Sequence, residues 1–102
     1  MTVIVIENAT PALRGLLTRW MLEVRAGVHV GTLATRVRDL LWERVAQTLT
    51  KGKGNAVLVW TARNEQGFSM RTLGENARTI FDIEGLSLVR RVRGPSLSHH
   101  EG

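Results

Sequence analysis

Cysteine is absent from this chain of 102 residues, and lysine occurs only at Lys51 and Lys53. Without cysteine, disulfides and thiolate metal sites are excluded, which suits a reducing compartment. The longest apolar stretches, residues 3–6 and 56–60, are far too short for a membrane span or a signal-peptide core, so a soluble cytoplasmic protein with no membrane partner is expected. Serine stands only at Ser69, Ser87, Ser96 and Ser98, none with an acid and base arrangement or a nucleophile-elbow pattern. Phosphate-cradling glycine loops are missing too, because Gly52 and Gly54 precede a strand pattern rather than a helix.

What the chain does have is arginine. Lys plus Arg number 14 against 9 Asp plus Glu, a formal net charge of +5. Arginine forks onto phosphate or carboxylate with paired hydrogen bonds and stacks on flat groups, which lysine does not. So strong a basic balance on so short a chain favours a polyanionic partner, nucleic acid first. The length fits one domain with a modest core, to which a partner surface would add stability.

Residues 3–6, Val-Ile-Val-Ile, form a β-branched run of the kind found in a strand covered on both faces, and the run stops at Glu7. Thr10 is a good N-cap and Pro11 suits the first helical position. Leu13, Leu16, Leu17, Trp20, Met21 and Val24, at spacings of three and four, predict one helix that runs to a break at Ala26-Gly27. A short strand is expected around Val28-His29-Val30. A second helix then opens with Thr32 as N-cap and Leu33, Val37, Leu40, Leu41, Val45 and Leu49 on its buried face. Residues 56–60 read as another buried strand, Asn64 to Gly67 as a hairpin turn, and residues 68–72 as an alternating strand nearer an edge. A last short strand is expected at residues 86–89, followed by Arg90, Arg91 and Arg93. Residues 1–93 read as a single domain, with residues 94–102 a flexible tail. The predicted class is α/β (α+β): a ferredoxin-like two-layer sandwich with two helices on one face of a four- or five-stranded, mainly antiparallel sheet. The terminal strand is placed to pair within its own sheet or with that of a second chain.

Several separated motifs resemble one family. Ile6-Glu7-Asn8, then Trp20-Met21-Leu22-Glu23-Val24-Arg25-Ala26-Gly27-Val28, Val30-Gly31, Leu41-Trp42-Glu43, Val59-Trp60, Gly67-Phe68, Arg78-Thr79, Asp82 and Gly85-Leu86 are similar to the small CRISPR-associated adaptation protein Cas-two of the type I-E subtype, over residues 3–91. The resemblance implies a ferredoxin-like homodimer between two dimers of the CRISPR integrase, Cas-one. The homodimer would span the middle of a captured double-stranded DNA while the integrase inserts it into the CRISPR array. Members of the wider family are described as metal-dependent nucleases of single-stranded RNA or double-stranded DNA. The family places basic residues at Arg14, Arg36, Arg38 and Arg78, which become the candidate DNA contacts. Ala12 and Ala77 stand where related members carry further arginines, which shifts attention to Lys51, Lys53 or Arg63. The segment expected to engage the integrase covers Leu86, Leu88, Val89, Arg90 and Arg91.

Glu7 has two readings. As a ligand for magnesium or manganese, one carboxylate is weak, and a second Glu7 across a dimer axis would supply the partner; the wider family usually has Asp here, one methylene shorter. As a structural residue it caps the chain or pairs with an arginine such as Arg14. His29 reads as an ordinary residue of a short strand, and His99 and His100 have no partner at metal-ligand spacing. Trp20, Trp42 and Trp60 read as core or interface packing, Arg25 as a cation at a helix end, and Glu65 as a turn residue. The chain is therefore expected to be an architectural DNA-binding protein of CRISPR adaptation, with a metal-dependent endonuclease as the alternative.

Overall fold

A computed structural model describes residues 1–50, 54–75 and 77–80. Strand β1 (Thr2–Glu7) lies at the centre, antiparallel to β3 (Val28–Gly31) on one side and to β4 (Asn55–Thr61) on the other. Strand β2 (Leu22–Arg25) pairs with β3 and strand β5 (Phe68–Leu73) with β4, giving a five-stranded antiparallel sheet of order β2-β3-β1-β4-β5. Thr2 to Ile6 are all buried, as a strand covered on both faces requires.

Alternation along β1 divides the core in two. Ile4 and Ile6 face helices α1 (Pro11–Thr18) and α2 (Thr35–Thr50), where they pack with Leu13, Leu17, Leu41, Val45 and Leu58. Val3 and Val5 face the other way and gather Val28, Val57, Val59 and Ala77 of the short helix α3 (Ala77–Ile80). This is the expected ferredoxin-like α+β sandwich, with α1 and α2 together on one face. Among the described residues, no helix is long and apolar enough to cross a membrane. The predicted strand at residues 86–89 and the tail at residues 94–102 lie outside the described residues.

The first helix starts as the sequence predicts. Thr10 accepts a hydrogen bond on Oγ1 from the Leu13 N–H at 3.2 Å, with Pro11 at the first position. It ends much sooner than expected, at Thr18, because Leu22–Arg25 is a strand and not the helix's last turns. The N–H groups of Trp20 and Met21 turn back onto the Leu17 carbonyl, and the next residues leave to pair with β3, Leu22 opposite Val30 and Glu23 opposite His29. Non-local pairing outweighs the helical period here, because β3 would otherwise present unpaired backbone groups at the sheet edge. The hairpin closes at Gly27, with φ of 80°, where a Cβ would sit 2.5 Å from the Ile6 carbonyl oxygen. Arg25 therefore belongs to an edge strand and does not serve a helix end. Trp20, 51% exposed in the turn after α1, is not a core residue of this chain.

Helix α2 begins at Thr35, three residues beyond the expected cap, and its buried face is rotated from the predicted one. Leu41, Trp42 and Val45 are buried, whereas Leu40 is 57% exposed. At about 100° per residue, Val37, Leu41, Val45 and Leu49 centre a stripe that lies roughly 80° from Trp42 and roughly 120° from Leu40. The same geometry turns Arg38 toward the sheet and Arg36 away from it.

Candidate nucleic-acid interface

Glu7 is the last residue of β1, opposite Asn55 in the register, and its side chain is exposed. Odd-numbered positions of β1 face away from α1 and α2, so Glu7 points to the opposite side of the sheet from Arg14. Its Oε1 accepts a hydrogen bond from Asn55 Nδ2 at 2.7 Å. Gly74, with φ of 98°, lets the chain pass close to Asn55, and a Cβ there would collide with the Asn55 amide oxygen. Glu7 also borders a hollow of about 420 Å³ with Val5, Arg25, Val28 and Ile80. Among the described residues this donor set is a single carboxylate already engaged by an amide, which by itself does not fit a divalent cation that takes several oxygen ligands. Among the described residues, no three His, Cys, Asp or Glu side chains gather around one point.

The expected pairing of Glu7 with Arg14 does not form. Arg14, on the exposed side of α1, donates from Nη2 to Glu23 Oε1 at 3.0 Å, and the other oxygen of Glu23 accepts from the Gly27 N–H at 3.1 Å. Arg14 first, and the Gly27 N–H second, hold the Glu23 carboxyl below its ordinary range. Glu23 thus links α1 to the β2–β3 hairpin, a contact that solvent screens because Arg14 is exposed. Beneath it lies His29, fully buried, with Nε2 3.8 Å from Glu23 Oε2. Neither ring nitrogen has a hydrogen-bond partner among the described residues.

At the other end of the sheet a second cluster forms. Trp60, opposite Thr2 on β1, carries the Arg38 guanidinium 4.2 Å from its ring centroid and that of Arg71 at 5.3 Å. Asp39 Oδ1 accepts from Arg38 Nε at 3.2 Å and from Arg71 Nη1 at 3.4 Å. Arg36 lies exposed beside this cluster, in a first helical turn that contains no acidic residue. Thr2 and Ile6 are about 13 Å apart along β1, so Arg14, at the Ile6 end, and Arg36 with Arg38, at the Thr2 end, occupy opposite ends of one helix-bearing layer.

The structure does not bring all four candidate arginines together. Arg78 lies in α3, which packs on the opposite sheet face from α2. Arg63 and Glu65 are exposed around the turn between β4 and β5. Lys51, Lys53, Leu86, Leu88, Val89, Arg90 and Arg91 lie outside the described residues. Arg71 and Trp60 were not singled out as a site from sequence, although alternation carried the signal. Trp60 pairs with Ser69 and Leu58 with Arg71, which puts all four side chains on the helix-bearing face, where the period of α2 also directs Arg38.

Residues 1–88 match the model of a family described as CRISPR-associated protein (Cas_Cas2CT1978).

Proposed function

Since the chain belongs to the CRISPR-associated protein family Cas_Cas2CT1978 and so has a CRISPR-related role, we propose that it acts in CRISPR adaptation as a homodimeric scaffold. In this reading it belongs to the Cas-two family of the type I-E subtype. The dimer grips the middle of a prespacer DNA duplex and bridges two dimers of the integrase Cas-one for insertion into the CRISPR array. The observation that carries the reading is the placement of Arg14 and Arg36, both exposed, at opposite ends of one rigid layer of two helices. Cations held at fixed separation meet several phosphates of a duplex at once without reading its sequence. Affinity then falls steeply as salt rises, because each neutralised phosphate releases counterions. The chemistry of Glu7 favours a structural role, since its carboxylate is tied to Asn55 within the chain.

The test is spacer integration in a reconstituted reaction with the cognate integrase, run for wild type, Glu7→Ala, an Arg14→Gln/Arg36→Gln pair and a variant that also carries Arg38→Gln and Arg78→Gln. Normal integration by Glu7→Ala together with loss in the arginine variants is the expected result. Loss in a folded, dimeric Glu7→Ala variant would instead put forward the metal-dependent endonuclease, with a Glu7 pair on magnesium or manganese and RNA or DNA as substrate.

A further inference from the structure

Three elements meet at Trp60: β4 supplies the ring, α2 supplies Arg38 and Asp39, and β5, the outermost strand among the described residues, supplies Arg71. The two guanidiniums share one carboxylate, Asp39 Oδ1, so the cluster keeps an excess positive charge beside Arg36. The two arginines differ in access. Arg38 is 12% exposed and lies nearest the ring, whereas Arg71 is 45% exposed. A guanidinium offers its face to an aromatic ring and keeps its N–H donors in plane. Arg71 has its guanidinium carbon over Trp60 and one amino group on Asp39, and at this exposure it keeps further donors at the surface. Pinning at two points removes side-chain freedom before any anion arrives, and that lowers the entropy cost of binding one. A structural pin between α2 and the sheet is already complete with Arg38, Asp39 and Trp60. It leaves the exposed fork of Arg71 unexplained.

We propose that Arg71, held on Trp60 beside Arg38 and Asp39, is a phosphodiester-binding residue that carries the nucleic-acid track from the start of α2 onto strand β5. The proposal rests on the duplex-binding reading above and adds a contact to it. Asp39 then acts as a positioning residue: it orients Arg71 while the phosphate takes the outward N–H groups.

Binding of a labelled duplex of mixed sequence is measured against salt for the full chain and for Arg71→Gln, Arg71→Lys, Arg36→Gln and Asp39→Asn, with thermal melting of each as a control. One lost phosphate contact flattens the slope of log K against log salt by about 0.9 for each chain engaged, which is the expectation for Arg71→Gln. Arg71→Lys keeps the slope with weaker binding, since the charge survives and the flat stacked fork does not. Asp39→Asn keeps the slope or steepens it. A pin without a binding role gives a different pattern: Arg71→Gln and Asp39→Asn shift melting and leave the slope at the wild-type value, which overturns the proposal. If Arg36→Gln flattens the slope while Arg71→Gln does not, this inference fails and the duplex-binding reading stands. If the wild type shows no salt-dependent duplex binding, both fall together.

Discussion

His29 carries the strongest local conflict in the chain, a titratable ring sealed from water with both nitrogens unpartnered among the described residues. Burial pushes its pKa below 6.5, and the Glu23 carboxylate 3.8 Å away, together with a weaker pull from the Ile4 backbone that falls short of a well-formed hydrogen bond, opposes the shift only in part. Above 6.5 the ring is neutral in both states. As pH falls below 6.5 the unfolded chain takes up a proton that the folded chain resists, so stability declines from there down to the folded pKa, by at most about 1.4 kcal/mol per pH unit. Glu23 acts in a lower window: its depressed pKa supports the fold above 4.5, and that support is lost as pH falls through the folded value. His29→Leu should therefore remove the upper part of the acid-side decline and keep the lower part, read as melting temperature against pH. Superimposable profiles for the two proteins would mean that His29 finds a partner in solution. Glu7, by contrast, has a side-chain partner, Asn55. Glu7→Ala and Asn55→Ala should each destabilise, and the double variant should recover about 1 kcal/mol relative to their sum in a double-mutant cycle by chemical denaturation. A coupling near zero would leave Glu7 free for another task.

Among the elements, α1 shows where local signals suffice and where they stop. Its start was legible, because the Thr10 hydroxyl and the Pro11 ring act on neighbours within one turn. Its end was not, because Trp20, Met21 and Val24 continue a helical period that only the pairing of β2 with β3 interrupts. Substitutions should reflect that difference. Thr10→Ala is expected to cost about 1 kcal/mol by loss of one cap bond. Gly27→Ala should cost more, about 1–3 kcal/mol, because it forces a side chain into a positive φ and against the Ile6 carbonyl. Equilibrium denaturation of both variants checks the order, and equal costs would mean that the hairpin relaxes around the new methyl group. In α2 the rotation of the buried face from Leu40 to Trp42 follows from which residues the sheet can receive, something that a list of apolar positions does not contain.

For the whole molecule, a net charge of +5 foretells attraction to polyanions but not where they sit. Folding places Arg14 by the β2–β3 hairpin and Arg36 by the opposite end of the sheet, each with its own surroundings and no shared partner. Their contributions to duplex binding should therefore add. Arg14→Gln and Arg36→Gln are each expected to flatten the salt slope by about 0.9 for each chain engaged, and together by about twice that, in titrations of one duplex at several ionic strengths. Unchanged slopes would move the duplex to the side of the molecule that carries Arg78, or to Lys51 and Lys53.

By itself the sequence determined the fold class, the central buried strand, the start of α1 and the turn from Asn64 to Gly67, because each rests on side-chain pattern or backbone preference within a few residues. The tertiary structure alone decided that α1 gives way to a strand, that Arg14 meets Glu23 and not Glu7, and that Arg38 and Arg71 converge on Trp60. Glu7 and Arg14 are close in sequence, yet the alternation of β1 sends one side chain below the sheet while α1 carries the other above it. Arg38 and Arg71 are far apart in the chain and become neighbours only when α2 packs over the strand pair β4 and β5.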